Sequence, residues 1–472
     1  MSARRGYRAS MTTQSRPPAT RAAAVATAAL ACLALGLTTV LPAASAGSSD
    51  GGVSAQEKPK KDKHGDKGKD RDKSKENDKG KVDKDVRFST FNASLNRTAA
   101  GQLLTDLASG TNAQAANAAE TIQRTAPDVV LVNEFDYDAG GKAAELFRDN
   151  YLEKSWHGST PIDYPYYYVA PSNTGMPSGF DLDNDGVLGA PGTQDGADDS
   201  LGFGFFPGQY GMVVYSKYPI ATDEVRTFQS FLWKDMPGAL LPNDPATEAL
   251  ADWYSAAELA TFRLSSKSHW DVPITLAKNK TVHFLVSHPT PPVFDDGQDD
   301  RNGKRNHDEI RFWADYISTK AASSYIYDDK GVKGGLHRGA KFVIAGDQNS
   351  DPVDGDSIDG AIQQLLDHPR VDSRTAPESA GGVEAALQGG TNVPQSGPDA
   401  QDTADFDDAI IRNGSGNLRV DYVLPRKGLK VLASEVFWPV ASAPFSYLTG
   451  VFPFPTSDHR LVWMDLKLNH KH

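Results

Sequence analysis

The chain has 472 residues, more than one average domain, and a formal net charge of -12. Its first 85 residues are basic, with 17 Lys and Arg against 10 Asp and Glu, so residues 86–472 carry a net charge of -19. A domain this acidic lacks the broad basic surface of tight nucleic-acid binders, and it suits a metal-dependent enzyme better than a structural binder of polyanions.

Residues 1–46 have the pattern of a secretory signal peptide. Five arginines precede a nearly continuous apolar stretch over residues 22–41, and Ala44-Ser45-Ala46 forms a small-residue cleavage site. A membrane anchor is the alternative, but the stretch is rich in Ala and Thr and ends at Pro42. The only cysteine, Cys32, lies inside this segment, so the mature protein would have no disulfide. The pattern predicts a protein that is secreted, and hence extracellular, after cleavage at Ala46.

Residues 47–85 are predicted to be a disordered linker. From Glu57 to Asp85 the chain alternates Lys and Asp with almost no apolar residue, so it cannot bury enough surface to offset the entropy of ordering. An arm that binds a polymer is the functional alternative. The remaining residues, 86–472, show no repeat and are predicted to form one domain of mixed strands and helices.

Short β-branched or aromatic runs, each near a turn signal, predict the strands of this domain. These runs cover residues 86–91, 128–132, 210–215, 282–287, 341–345, 420–424 and 461–466. Polar stretches rich in Gly, Asp, Ser, Pro or Ala predict insertions between them. These insertions lie near residues 171–208, 234–270 and 372–417.

Two helices are predicted, over residues 113–125 and 306–317. The second helix has an apolar face with Ile310 and Trp313 at helical spacing. Its first turn would contain Asp308 and Glu309, and acids there are favourable at a helix N-terminus. These two acids are therefore explained without a catalytic role.

Polar residues follow or begin almost every predicted strand. These residues are Asn92, Glu134, His288, the run Asp347-Gln348-Asn349, Asp421 and the pair Asp458-His459. Each one alone is more simply explained as a turn residue, a solvated strand terminus or a buried hydrogen-bonded group. Their recurrence at six sites across the domain indicates a catalytic or metal-binding site.

The residues around these strand ends resemble the endonuclease/exonuclease/phosphatase superfamily, which has a deoxyribonuclease-I-like fold. The matching motifs occur in the family's order and cover residues 86–467, and residues 288–303 look like those of secreted bacterial members. The motifs are Phe91-Asn92, Val132-Asn133-Glu134, the run Gly-Met-Val-Val-Tyr-Ser-Lys-Tyr-Pro at 211–219, Ser287-His288, Gly346-Asp347-Gln348-Asn349, Val420-Asp421-Tyr422-Val423 and Ser457-Asp458-His459.

The resemblance implies an α+β fold, a four-layered αββα sandwich of two packed, mostly antiparallel sheets flanked by helices. It also implies hydrolysis of a phosphate ester with Mg²⁺ or Mn²⁺. By the same resemblance Glu134 would be the main metal ligand, with Asn92 beside it and Asp458 completing the network. Carboxylate and amide oxygens are ligands that suit such hard cations.

The resemblance also implies a role for each remaining strand-end residue. Asp347 would orient or deprotonate the attacking water, and Asn349 would hold that water or a phosphate oxygen. His459 would act as a base or as a phosphate clamp, with its tautomer fixed by Asp421. His288 would contact the phosphate and assist departure of the leaving group.

The first insertion contains a possible structural calcium loop. Asp181, Asp183 and Asp185 take positions 1, 3 and 5 of a Ca²⁺ loop and Gly186 takes position 6. Position 12 is Gly192, where such loops place a bidentate Glu. A solvated turn is therefore the alternative, unless the ligand comes from an acid further along: Asp195, Asp198 or Asp199.

The substrate is less well defined than the chemistry. A nuclease or other phosphodiesterase is favoured, with a phospholipid phosphodiesterase and a phosphomonoesterase as alternatives on the same scaffold. Arg301 is a candidate for gripping an outer phosphate, or else a solvated residue before a helix. No obligate protein partner is evident, and a monomer is expected. A non-catalytic binding module is the alternative of another class, which the full set of six sites disfavours.

Overall fold

The structure is a computed structural model that describes residues 54–57, 85–294, 299–406 and 415–468. All of these residues belong to one compact unit, Ser49–His472. The predicted signal peptide and most of the predicted linker lie outside the described residues, so both stay predictions. No helix in the described ranges combines the length and the apolar character needed to cross a membrane.

Fourteen strands are described, and most of them are short. In chain order they are β1 (Ser54–Glu57), β2 (Val86–Leu95), β3 (Val129–Phe135), β4 (Tyr166–Val169), β5 (Met212–Ser216), β6 (Arg226–Thr227), β7 (His269–Ala277), β8 (Lys280–Ser287), β9 (Lys341–Asp347), β10 (Ala404–Asp405), β11 (Asn417–Leu418), β12 (Asp421–Pro425), β13 (Lys430–Val436) and β14 (Val462–Lys467). Each of the seven predicted strands is confirmed, with its bounds shifted by a few residues.

The α-helices are also mostly short. They are α1 (Gln102–Ser109), α2 (Ala113–Thr125), α3 (Lys142–Phe147), α4 (Gln194–Asp198), α5 (Ala256–Leu259), α6 (Arg301–Tyr316), α7 (Gln363–Leu366) and α8 (Ala380–Ala386). A π-helical turn, Arg148–Leu152, continues α3. The predicted helix at 113–125 is confirmed as α2, whose N-cap Asn112 accepts a hydrogen bond from the Ala115 N–H.

The strands form two large sheets and one small one. The seven-stranded sheet has the order β1-β4-β5-β3-β2-β14-β13, and the five-stranded sheet has the order β12-β9-β8-β7-β6. A separate pair consists of β10 and β11. Only β2 with β3 and β8 with β9 pair in parallel, and the other described pairs are antiparallel.

The two large sheets pack face to face, with helices on both outer faces. Apolar residues of β2, β3 and β5 meet those of β7, β8 and β9 in the central core, where Phe88 and Phe284 lie 5.5 Å apart between ring centroids. A second core lies between the seven-stranded sheet and α1, α2 and α3. A third lies between the five-stranded sheet and α6 and α7. This layering confirms the predicted αββα sandwich.

The structure differs from the predicted linker at four residues. Ser54–Glu57 form β1, which pairs antiparallel with β4 at the edge of the larger sheet. The composition of this short segment, unlike that of the Lys/Asp run after it, does not exclude a strand. The rest of the predicted linker lies outside the described residues, so its disorder stays a prediction.

The second predicted insertion, 234–270, also differs from the structure. Its last two residues belong to β7, and Phe262 and Leu264 are buried in the core under α6. The high polar content of this stretch hid these buried aromatic and aliphatic positions. It is therefore partly a structural segment of the domain.

The explanation of Asp308 and Glu309 by the helix dipole is wrong. Helix α6 begins at Arg301, earlier than predicted, so both acids lie in its middle and are fully buried. Asp308 accepts hydrogen bonds from the Trp233 indole and the Leu240 N–H, both at 2.7 Å. Buried carboxylates need hydrogen-bond partners. Groups in the neighbouring loops supply them, so both acids hold loops against the helix.

Candidate active site

The six predicted strand-end sites lie on one edge of the sandwich. Parallel strands β2 and β3 end together, with Asn92 opposite Asn133 in register, and Glu134 follows. Parallel strands β8 and β9 likewise bring His288 and Asp347 to the same edge. The antiparallel strands β12 and β14 contribute their first residues to that edge instead of their last. Asp421 therefore pairs with Asp347, and the Asp458-His459 pair precedes β14.

Asn92 joins the two sheets at this edge. Its Nδ2 donates to Glu134 Oε1 at 3.0 Å and to Asp347 Oδ2 at 3.1 Å, while its Oδ1 accepts from the Ser94 N–H. The second oxygen of Glu134 accepts from Asn96 Nδ2 at 2.6 Å. Asn92 thus presents its nitrogen to both carboxylates and bridges them. Its predicted role as a metal ligand stays a prediction.

Glu134 has the properties of a ligand that needs a cation. Burial, and then the neighbouring carboxylate of Asp458, raise the pKa of Glu134. Its backbone is left-handed, with a φ of 55°, as is that of Asn349, with a φ of 50°. Such a conformation in a non-glycine residue costs roughly 1–3 kcal/mol and is typical of functional sites.

His459 lies between two carboxylates. Its Nδ1 is 2.8 Å from Asp421 Oδ2, and its Nε2 is 3.6 Å from Asp347 Oδ2. Thr403 Oγ1 donates to the same oxygen of Asp421 at 2.9 Å and so orients it. Burial alone would lower the pKa of His459, but the charges of Asp421, Asp347 and Asp458 together raise it well above its usual range. His459 is therefore an imidazolium at neutral pH.

His288 also lies beside Asp347, but it is neutral. Its Nε2 is 3.4 Å from Asp347 Oδ2, and its Nδ1 has no hydrogen-bond partner among the described residues. Burial, and then the positive charges of Lys267 and His459, lower the pKa of His288 well below its usual range. One carboxylate is thus flanked by a neutral and a charged imidazole.

Asp347 is at the centre of these contacts. Burial raises its pKa to about 6, against the opposing charge of His459. Its Oδ1 accepts the Asn349 N–H at 2.9 Å, and Asn349 Nδ2 donates to Pro289 O at 3.1 Å. A carboxylate with this pKa is ionised at neutral pH yet basic enough to accept a proton.

The donor set of this edge fits a hard divalent cation. Glu134, Asp347, Asp421 and Asp458 bring four carboxylates together, and the positive charges of His459 and Lys267 leave the negative charge in excess. No Lys or Arg forms an ion pair with Glu134 or Asp458 in the part of the chain that the structure describes. Oxygen donors in excess of fixed positive charge are what Mg²⁺ or Mn²⁺ sites require.

Sequence reasoning missed four residues that support the site. Asn96 holds Glu134, Thr403 holds Asp421, and Lys267 lies next to His288. Gln114 Nε2 donates to the carbonyls of Ser94 at 2.7 Å and of Thr456 at 2.9 Å, and so joins the segments that carry Asn92 and Asp458. Of these four residues, only Asn96 lies close to a motif in the sequence, four residues after Asn92.

The predicted calcium loop is brought together only in part. Carboxylate oxygens of Asp181, Asp183 and Asp199 lie within 4.8 Å of one another. Asp185 is not in this group, and its Oδ1 accepts the Val187 N–H at 2.7 Å. Burial, together with neighbouring acids, raises the pKa of Asp183 to about 6. Asp199, one of the acids expected to contribute from further along the chain, thus joins Asp181 and Asp183, and calcium itself stays a prediction.

The structure places Arg301 against the ring of Trp253. It begins α6, and its guanidinium carbon lies 4.0 Å from the centroid of the Trp253 ring. A guanidinium over an indole is a stable arrangement in itself. Its predicted contact with an outer phosphate stays a prediction.

The sequence matches a family model over residues 89–459, and that model describes the Endonuclease/Exonuclease/phosphatase family. No curated protein matches the sequence significantly. Solved structures with a similar fold include an endonuclease/exonuclease/phosphatase from Beutenbergia cavernae, at 17% identity over 82% of this chain and 72% of that one, with a TM-score of 0.43. Sphingomyelinase C from Streptomyces griseocarneus matches at 14% identity over 81% and 99%, with a TM-score of 0.38. A mannosyl-6-phosphatase from Bacteroides thetaiotaomicron matches at 9% identity over 81% and 99%, with a TM-score of 0.39.

Proposed function

Because the chain belongs to the endonuclease/exonuclease/phosphatase family and is thus a metal-dependent phosphoric ester hydrolase, we propose that it is a secreted phosphodiesterase of the nuclease type. The observation that carries the reaction type is Asp347, an ionised carboxylate of raised pKa between a charged and a neutral imidazole. Secretion rests on the signal pattern of residues 1–46 and is tested by sequencing the exported chain, which is expected to begin at Gly47.

The charge of the site favours a diester over a monoester. A phosphodiester carries one negative charge at neutral pH, whereas a phosphomonoester carries about two. The site contains four carboxylates, and like charges repel strongly in a poorly hydrated site. The phosphomonoesterase and the phospholipid phosphodiesterase remain as second choices on the same residues.

Each residue would have a distinct part in the reaction. A divalent ion, held by Glu134 with Asp458 beside it, would neutralise charge on the phosphate oxygens. Asp347 would take the proton of the attacking water. The oxygen of that water would bond to phosphorus as the ester P–O bond breaks. His459 would bind a nonbridging oxygen as an imidazolium held by Asp421. His288 would contact the departing oxygen.

The activity is expected to depend on both the metal and the diester. EDTA is expected to abolish hydrolysis, and Mg²⁺ or Mn²⁺ to restore it, because the divalent ion would supply the charge that neutralises the phosphate oxygens. Plasmid DNA and bis-p-nitrophenyl phosphate are expected to be cleaved faster than p-nitrophenyl phosphate and sphingomyelin. Product release from each substrate with Mg²⁺, Mn²⁺ or Ca²⁺ measures this. A folded protein that cleaves none of the four would favour the binding module.

We also propose a structural Ca²⁺ bound by Asp181, Asp183 and Asp199. Ca²⁺ is expected to raise the melting temperature of the wild type, since a ligand that binds only the folded state stabilises it. The Asp183→Ala variant is expected to lose this response, and Asp185→Ala, outside the group, to keep it. Melting curves with and without Ca²⁺ measure the difference. Wild type and Asp183→Ala that are equally unmoved would contradict the site.

A further inference from the structure

Lys267 is a buried ammonium beside the catalytic strand ends. Its side chain is only 7% exposed. In the antiparallel pair of β7 and β8, His269 lies opposite Ser287, so continuing the register places Lys267 opposite Pro289, the residue after His288. Its Nζ donates to Pro289 O at 3.4 Å. The fold of the smaller sheet therefore brings this cation to the edge that carries the site.

The same carbonyl connects Lys267 to the centre of the site. Pro289 O also accepts from Asn349 Nδ2 at 3.1 Å, and the Asn349 N–H donates to Asp347. The charge of Lys267 helps to keep His288 neutral. Burial lowers the pKa of Lys267, and the negative charges of Glu309, Asp347 and Glu134 act against this effect. Lys267 is thus electrically part of the catalytic cluster.

Lys267 has more donors than the protein uses. An ammonium has three N–H donors, and Pro289 O is the one acceptor found for it in the described ranges. The nearest helical acid, Glu309, accepts instead from the backbone N–H groups of Ser266 and Thr290, both at 2.6 Å. A buried charge without a paired acid is costly unless a ligand completes its contacts. An anion at the site would do so.

We propose that Lys267 binds a nonbridging oxygen of the substrate phosphate, on the side of the site that carries His288 and Asn349. The position of that phosphate rests on the proposed function. Lys267 and His459 would then both supply positive charge to the phosphate. The opposite role, a purely structural tie between β7 and the segment after β8, would need only the hydrogen bond to Pro289 O.

Binding of inorganic phosphate separates these two roles. Isothermal titration calorimetry of the Lys267→Met variant in Mg²⁺ buffer is expected to show phosphate affinity reduced about 10- to 100-fold, the usual effect of losing a charged hydrogen bond. Lys267→Arg, which keeps the charge, is expected to retain more phosphate affinity than Lys267→Met. Lys217→Met removes a charge near the start of β3, where Lys217 pairs with Asp128, and is expected to change nothing. Phosphate affinity within twofold of the wild type in a folded Lys267→Met protein overturns the proposal.

Binding and turnover are measured separately. Phosphate binding that depends on Lys267 in a protein that cleaves no ester supports this inference and contradicts the proposed function. Normal turnover, with phosphate binding that does not depend on Lys267, supports the proposed function and contradicts this inference. If Lys267→Met does not fold, wild-type crystals soaked in inorganic phosphate decide the matter. A phosphate oxygen within hydrogen-bonding distance of Nζ supports the proposal, and bound phosphate that leaves Nζ on Pro289 O alone overturns it.

Discussion

The Asp347→Asn variant is expected to lose about 10²- to 10⁴-fold in turnover, the usual contribution of a general base. Asparagine keeps the shape of the side chain, but it cannot take a proton from water, and its single oxygen can accept from Asn92 Nδ2 or from the Asn349 N–H but not from both. It also removes the negative charge that lies 3.4 Å from His288 and 3.6 Å from His459. The kcat for bis-p-nitrophenyl phosphate with Mg²⁺ measures the loss.

Thermal stability separates this loss from unfolding. Because burial raises the folded-state pKa of Asp347 to about 6, the ionised carboxylate destabilises the fold at neutral pH, and that cost disappears as the pH falls toward the unfolded pKa. The neutral variant is therefore expected to melt at the same temperature as the wild type or higher. Asp367→Asn, at an exposed position after α7, is the matched control and is expected to be fully active. A kcat near the wild-type value in Asp347→Asn would exclude Asp347 as the base.

The parts of the fold that could be predicted are those in which neighbouring residues share the same environment, such as a strand buried on both faces. The buried runs of β3, β8 and β9 are apolar along most of their length, so their composition alone indicates strands. β13 was missed because it is an edge strand with mostly exposed positions, at which polar and apolar residues are mixed. β7 was missed because polar residues and Pro273 interrupt its pattern, although it is buried against β8.

The helix boundary of α6 shows a second limit. Gly303 and the charged residues around it argue against helix, yet α6 begins at Arg301 because Asp300 caps it by accepting the Gly303 N–H. The shift of one turn changes Asp308 and Glu309 from exposed first-turn acids to buried acceptors. Local charge patterns could not show this, because burial is decided by the loops that pack on the helix.

The strand-end residues could be predicted one at a time, but the contacts that join them to the rest of the site could not. A short motif at a strand end marks Glu134 or Asp347, since strand ends of the two sheets share one edge. The partners Thr403 and Gln114 lie in segments without a motif, and Asn96 lies just after one, so only the register of strands and loops brings them near the site. Lys267 was hidden for the same reason, within a stretch that looked like a polar insertion.

His459→Ala is the second variant with a large expected effect, about 10²- to 10⁴-fold in kcat. The imidazolium has its charge because Asp421, Asp347 and Asp458 raise its pKa well above the usual range against the effect of burial. Alanine removes the only charged imidazole of the cluster and leaves the carboxylates without it. Initial rates with bis-p-nitrophenyl phosphate, at saturating and at low substrate, measure the loss in kcat and in kcat/KM.

The pH profile distinguishes a charged His459 from a neutral base. If the imidazolium is the active form, wild-type activity persists above pH 6.5 and falls only as the pH rises through the raised pKa of His459. Asp421→Asn removes the carboxylate 2.8 Å from Nδ1, so it lowers that pKa, and the fall in activity moves to lower pH. A base would behave in the opposite way, because lowering its pKa would extend activity toward acid. An alkaline limb that is identical in wild type and Asp421→Asn would contradict the clamp role of His459.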